Sequence, residues 1–262
     1  MSLVMTTRAF HIINLSLPKT GSASLARIFG KYRSFHELAH VESVDFLLDR
    51  LAGSRSDQEL DAYLLARDAA VRPEFDSATF LHLAVDRLPR IFPEARFIIA
   101  IRPCDDWAAS FLGMMLEAFG PGGWGGALPA GWVDRYAGHV SQTLAGLDLK
   151  SRFAVAASGR SLAAELAEYW GRRTLDTLAA AQSERTLVLD TSALRGSTGS
   201  LERFAGVPAD SLRSGVHANR GRAAGDARRL LGEAALAEAS AKWDPLVEAA
   251  VEQSACIRPD EM

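Results

Sequence analysis

Cysteine is nearly absent from this chain: Cys104 and Cys256 are its two thiols, far apart and outside any C-x-x-C pattern. That argues against a disulfide scaffold and a cysteine-based zinc site, and predicts a reducing, cytoplasmic setting. Long apolar runs are missing too. None approaches the roughly 18 residues that a bilayer crossing needs, so no membrane insertion is expected. The opening residues 1–9 carry no long apolar core behind a basic segment, which predicts no secretory signal. Charge of one sign is also lacking. The 29 Lys and Arg against 32 Asp and Glu leave a net charge of −3 and a pI near 6.1. A balance of that kind gives no general attraction to nucleic acid or to an anionic membrane. Carboxylates are not clustered with metal-ligand spacing, so no metal is expected. Neither an internal repeat nor a long linker interrupts the chain. A single domain over 1–262 is expected, with its core at about 10–225 and a C-terminal helical segment at 226–255. Nothing in the sequence specifies an oligomeric state.

What is there is a full complement of core residues: 48% hydrophobic against 23% charged. Runs 10–17, 97–101 and 186–190 are short, rich in Ile, Leu or Val, and bounded by turn or charged residues. They predict buried strands of a parallel sheet covered on both faces. Weaker strand signals lie at 32–36 and just before Asp76. Helical spacing covers 23–29, 44–51, 57–67, 78–92, 107–119 and 161–181. Short helices are expected at 201–204 and 209–212, and a long one at 228–251. Strands alternating with helices predict an α/β fold, a doubly wound, mainly parallel sheet flanked by helices.

The first strand runs straight into Leu17-Pro18-Lys19-Thr20-Gly21-Ser22-Ala23-Ser24-Leu25, where helical spacing begins. Strand, tight polar turn and helix start together make an anion site, because the first N–H groups of a helix lack internal partners. Gly21 lets the backbone approach a phosphate, Thr20, Ser22 and Ser24 add hydroxyls, and Lys19 adds a mobile positive charge. The triphosphate pattern G-x-x-x-x-G-K-[ST] does not occur, which lowers ATP and GTP as ligands.

This stretch resembles the 5′-phosphosulfate loop of sulfotransferases that use 3′-phosphoadenosine 5′-phosphosulfate (PAPS), written P-K-[ST]-G-[ST]-[ST]-x-L. Pro18, Lys19, Thr20, Gly21, Ser22, Ser24 and Leu25 fall in register, and Ala23 stands where a second hydroxyl is frequent. The family's second signature is a strand ending in arginine with a serine eight residues later. Here Phe97-Ile98-Ile99-Ala100-Ile101-Arg102 is followed by Ser110, with Pro103 directly after the arginine rather than one residue further on. An arginine at the carboxyl end of a central strand grips a phosphate through its planar fork, and a serine adds a neutral donor, which suits the 3′-phosphate. Late in the chain, the segment from Phe204 to Pro208 and then His217-Ala218-Asn219-Arg220-Gly221-Arg222 resemble the family's final segment and closing loop. Arg220 and Gly221 match its basic residue and glycine.

The resemblance implies a P-loop-like sulfotransferase architecture and transfer of a sulfuryl group from PAPS to a hydroxyl or amine of a small-molecule or carbohydrate acceptor, without a metal. It also implies Lys19 as the residue that stabilises the departing 5′-phosphate. An acceptor hydroxyl needs a base near the carboxyl ends of the strands. His36 and Glu37, at the end of the expected second strand, and Asp76 are the candidates. His11 reads as a packed strand residue, and His40, His82 and His139 as structural ones.

Two further matches fail. Gly120-Pro121-Gly122-Gly123-Trp124-Gly125 fits G-x-G-x-x-G by letter but follows a helix rather than a strand. A mobile lid over 119–136, with Trp124 and Trp132 touching acceptor, or a surface loop are the readings left. Ser16-Leu17-Pro18-Lys19 and Lys19-Thr20-Gly21 match the S-x-x-K and K-T-G elements of penicillin-recognising enzymes, yet here both share one lysine. Competing functions are a nucleotide kinase using a similar loop, and a non-catalytic sulfotransferase-like protein that binds a nucleotide.

Overall fold

A computed structural model describes residues 7–120, 123, 132–181, 183–216 and 223–262. Its sheet contains β1 (Ile12–Asn14), β2 (Ser34–His36), β3 (Phe75–Ser77), β4 (Arg96–Ile101) and β5 (Thr186–Asp190). All neighbours pair in parallel, in the order β2-β3-β1-β4-β5. The expected α/β class and parallel sheet are therefore observed, including both weak strands.

Parallel strands need crossovers, and helices supply them. Between β1 and β3 in the chain come α1 (Ser22–Ile28), α2 (His40–Leu51) and α3 (Asp57–Val71), α1 packing on one face of the sheet and α2 and α3 on the other. The last begins with a capping box, in which the Ser56 hydroxyl accepts from Glu59 N–H and the Glu59 carboxylate accepts from Ser56 N–H. After α4 (Leu88–Ile91) and β4 come α5 (Cys104–Phe119), α6 (Trp132–Val140), α7 (Gln142–Ala145), α8 (Arg152–Ala157) and α9 (Gly159–Ala180). The chain ends through α10 (Thr198–Ala205), α11 (Ala224–Leu231) and α12 (Glu233–Gln253).

Alternate strand residues feed two cores, one on each sheet face. Ile13, Phe97 and Ile99 join Trp107 and Trp170 on one side. Ile12, Ile98 and Ala100 join Leu25, Phe29 and Phe75 on the other, where the Phe29 and Phe75 rings stack at 4.3 Å. Burial of each such large side chain is worth roughly 1.5–3 kcal/mol, so both faces are well anchored. At the C-terminal side, α12 lies against α9 where Gly171 removes an obstacle: a Cβ there would sit 2.2 Å from the Trp243 ring.

Three helix expectations change. Segment 78–92 is not one helix but a 3-10 stretch, Thr79–Ala84, followed by α4. Every residue from Thr79 to Ala84 is buried, so there is no exposed face to give helical periodicity, and Pro89 starts the second piece. Segment 209–212 is a turn, with Asp210 at φ 61°. The helix expected over 228–251 is two helices, broken at Gly232, whose φ of 86° and ψ of 125° no helix can contain.

This topology places β1 at the centre with β3 and β4 beside it. Strand order reverses direction there, and the loops leaving β1 and β4 open at the same sheet end. That switch point is where open parallel sheets hold ligands.

Candidate active site

The turn leaving β1 is wound tightly: Lys19 has φ 69° and Gly21, the N-cap of α1, has φ 95°. No side chain caps the helix, so its first N–H groups are left without a side-chain acceptor. Four carbonyls of the turn, by contrast, are held from outside. Pro18 O accepts from the Trp107 indole at 2.7 Å, and Lys19 O from the Arg102 guanidinium at 3.2 Å. Thr20 O accepts from the Thr191 hydroxyl at 3.2 Å, and Ser22 O from the Ser77 hydroxyl at 2.9 Å. Ser77 is itself held by the Asn14 amide at 3.0 Å. Four elements thus fix the acceptor side of the turn, leaving its donor side for an anion. The Thr20 hydroxyl is buried and donates to Leu17 O at 2.6 Å, so it locks the turn from within.

Gly21 is required twice over, by its positive φ and by space, since a Cβ would stand 2.5 Å from Leu194 Cδ1. Gly21→Ala should cost about 1–2 kcal/mol of stability through the left-handed backbone alone. Thermal unfolding of the variant checks this, with the melting temperature expected several degrees lower.

A cleft of about 1790 Å³ opens beside the turn, lined by Lys19, Gly21, Ser22, Ser24, Arg102 and Ser110. These six residues of the two expected anchors line one cavity, whereas Thr20, whose hydroxyl turns inward to Leu17 O, does not. Arg102 is not tied up by Asp105 or Asp106, because both of those pair with Arg228, at 2.8 and 2.7 Å. Burial lowers the pKa of Lys19, with Glu117 opposing that shift and Arg102 adding to it. Arg220 and Gly221 lie outside the described residues, as do His217 and Trp124. Nothing is described of the Trp132 side chain or of most of the 119–136 loop.

His36, at the carboxyl end of β2, also faces the cleft, with Nε2 3.2 Å from the Ser22 hydroxyl and 3.7 Å from Glu37 Oε1. Burial pushes its pKa below the ordinary value, with Glu37 partly offsetting this, so the imidazole is neutral at neutral pH. Glu37 differs. Its Oε2 meets His40 Nδ1 at 2.7 Å, while Oε1 accepts from Thr79 N–H at 3.2 Å and the Thr79 hydroxyl at 2.7 Å. Burial pushes its pKa up, but those hydrogen bonds and the neighbouring histidines outweigh it and hold the carboxyl below its usual range. Both of its oxygens already have partners, which suits a scaffold better than a base. Asp76 is buried away from the cleft in a bidentate ion pair with Arg67, which occupies both of its carboxylate oxygens.

The remaining histidines take structural places. His11 contacts Asp68 at 3.3 Å and meets the Phe92 ring edge-on. His82 is fully enclosed, with Nε2 2.8 Å from the Tyr169 hydroxyl, and burial drops its pKa to about 3. Its neighbour His139 lies 3.3 Å from Arg173, with a pKa near 4, again mainly from burial.

Away from the turn the cleft becomes apolar, through Val44, Phe80, Met114, Phe119 and Tyr136. Asp106, Ser110 and Met114 follow one another at four-residue spacing along α5, so a single helix face runs from the polar end towards the apolar end. Sequence reasoning missed Trp107, Thr191, Asn14 and Ser77. Only Asn14 left a signal, as a polar residue inside an otherwise apolar strand.

The family model described as Sulfotransferase domain matches residues 11–196, a span that contains the turn, Arg102, Ser110 and Thr191. Comparison with curated proteins gives no match. With a matching family model over most of its length, an all-parallel sheet and both anchors in one cleft, the chain belongs to the sulfotransferase family, enzymes that transfer sulfuryl groups.

Proposed function

We propose that this sulfotransferase draws its sulfuryl group from PAPS and delivers it to the hydroxyl or amine of a small acceptor with an apolar body. The observation that carries the reading is the meeting of the Lys19–Gly21 turn and Arg102 in one cleft with a neutral His36. One end of that cleft suits the 5′-phosphosulfate. There the uncapped amides of α1, the Ser22 and Ser24 hydroxyls and the Lys19 ammonium would converge. The other anchor suits the 3′-phosphate. One Arg102 nitrogen holds Lys19 O, its remaining donors are available for a phosphate fork, and Ser110 supplies a hydroxyl. Arg220 and Gly221 would close over the same phosphate, a role resting on sequence resemblance alone.

When bound, PAPS supplies a sulfuryl group on a phosphate leaving group. The protein supplies position and charge. Lys19 neutralises the negative charge growing on the departing 5′-phosphate oxygen. His36 Nε2, uncharged, takes the proton of the acceptor hydroxyl, and Glu37 fixes the loop carrying it through Thr79 and His40. For an amine acceptor, the same nitrogen removes the ammonium proton. The apolar wall around Phe80 and Met114 favours an apolar acceptor over a sugar, because the polar groups nearby, Glu37 and His40, are already bonded to each other.

Transfer from sulfur-labelled PAPS tests the reading, with 2-naphthol, an alkyl amine and glucose as acceptors and no added metal. Label on 2-naphthol or the amine is expected. A blank panel together with phosphoryl transfer from ATP and magnesium would point instead to a kinase.

A further inference from the structure

The two anchors come from different strands, and a bisphosphorylated nucleotide can be gripped at both ends only if their separation matches that of its phosphates. One side chain touches both halves. Thr191 follows β5 and begins the 3-10 stretch Thr191–Arg195. Its hydroxyl lies 3.2 Å from Thr20 O, in the phosphate turn, and 2.8 Å from Ile101 O, the carbonyl immediately before Arg102. A hydroxyl has a single proton, so the two carbonyls share it in a three-centre arrangement. The same side chain fills the space beside Gly21, with its methyl 3.7 Å from where a Cβ of that residue would stand.

We infer that Thr191 is a positioning residue for the donor, holding the phosphate turn and Arg102 at the separation that a 3′,5′-bisphosphorylated nucleoside requires. This rests on the proposed donor reading. Arg102 also crosses between the halves, through Lys19 O, but its guanidinium is assigned to the ligand and cannot be removed without losing a phosphate contact. Thr191 can be altered with Arg102, Lys19 and Ser110 intact. Without its hydroxyl, Thr20 O and Ile101 O lose their common donor, and the spacing is held less firmly, by the Arg102–Lys19 O and Trp107–Pro18 O bonds that remain.

Preorganisation of this kind shows only when both ends are engaged at once. Ligands carrying one phosphate draw one anchor to themselves and are indifferent to the spacing. The test is isothermal titration of wild type, Thr191→Val and Thr191→Ser with adenosine, adenosine 5′-monophosphate, adenosine 3′-monophosphate and adenosine 3′,5′-bisphosphate. Thr191→Val, nearly the same shape without the hydroxyl, should weaken the bisphosphate about tenfold, the size of one or two lost hydrogen bonds. The two monophosphates and adenosine should change by less than about threefold, a residual effect set by small local relaxation. Thr191→Ser should restore wild-type behaviour. Should valine fail to fold, Thr191→Ala, which leaves room rather than crowding the turn, gives the same comparison. Equal weakening of all four ligands would mean that the hydroxyl touches the nucleoside directly, and no change in any would mean that it fixes nothing. Either result overturns the inference while leaving the donor reading intact. A wild-type protein that does not prefer the bisphosphate over both monophosphates would overturn the two together.

Discussion

Lys19→Met should lower kcat for sulfuryl transfer by about 10²–10³-fold, the usual cost of removing a group aimed at charge that develops in the transition state. Methionine keeps most of the aliphatic stem but carries no ammonium, so the growing charge on the 5′-phosphate oxygen would face only amides and hydroxyls. The KM for PAPS should move far less. Under the proposed function Arg102, Ser110 and the α1 amides would still hold the ground-state nucleotide, and the carbonyl of residue 19 that Arg102 grips belongs to the main chain. A large effect on kcat with a small one on KM is the signature of an interaction made mainly in the transition state. Steady-state rates with labelled PAPS measure both. A kcat within threefold of wild type would remove Lys19 from the chemistry.

His36→Gln should lower kcat/KM for a hydroxyl acceptor by about 10²–10⁴-fold, the range for loss of a positioned general base. Glutamine can still hydrogen-bond to the Ser22 hydroxyl, so the local structure should survive. The pH profile separates a base from a structural residue. Only neutral His36 can take a proton, so activity must rise as pH climbs through its pKa and level off above it. Burial, partly opposed by Glu37, holds that pKa under the ordinary histidine value of 6.5, so the acid limb should fall on the acid side of 6.5 and leave neutral pH on the plateau. In His36→Gln the limb should vanish. In Glu37→Gln it should persist, because that carboxylate is occupied by His40 and Thr79 rather than by the acceptor. A limb lost with Glu37→Gln and kept in His36→Gln would exchange the two roles.

Much of this was legible in the amino-acid order, for physical reasons. Strands buried on both faces are apolar throughout, so Arg96–Ile101 and Thr186–Asp190 stand out as runs. The turn after β1 announces itself because lysine, hydroxyls and glycine crowd between a strand and a helix. What stayed hidden depends on contacts distant in sequence. Thr191 meets Thr20 across 171 residues and Trp107 meets Pro18 across 89, separations that no local pattern encodes. Periodicity also fails where no face is exposed, as in Thr79–Ala84, and it runs past Gly232 because one residue breaks a helix without disturbing the apolar spacing around it. Choosing among His36, Glu37 and Asp76 needed partners rather than residue types. Asp76 is claimed by Arg67 and Glu37 by Thr79 and His40, which leaves the imidazole facing the turn.

The proposed function requires one cleft to grip both phosphates of a nucleoside bisphosphate without metal. Calorimetric titration of the wild-type protein with adenosine 3′,5′-bisphosphate in EDTA, beside ATP with magnesium, tests it most directly. Saturable binding of the bisphosphate is expected, weakened about tenfold to a hundredfold in Arg102→Ala by loss of charged hydrogen bonds, with little binding of ATP. Tight, magnesium-dependent binding of ATP with none of the bisphosphate would contradict it.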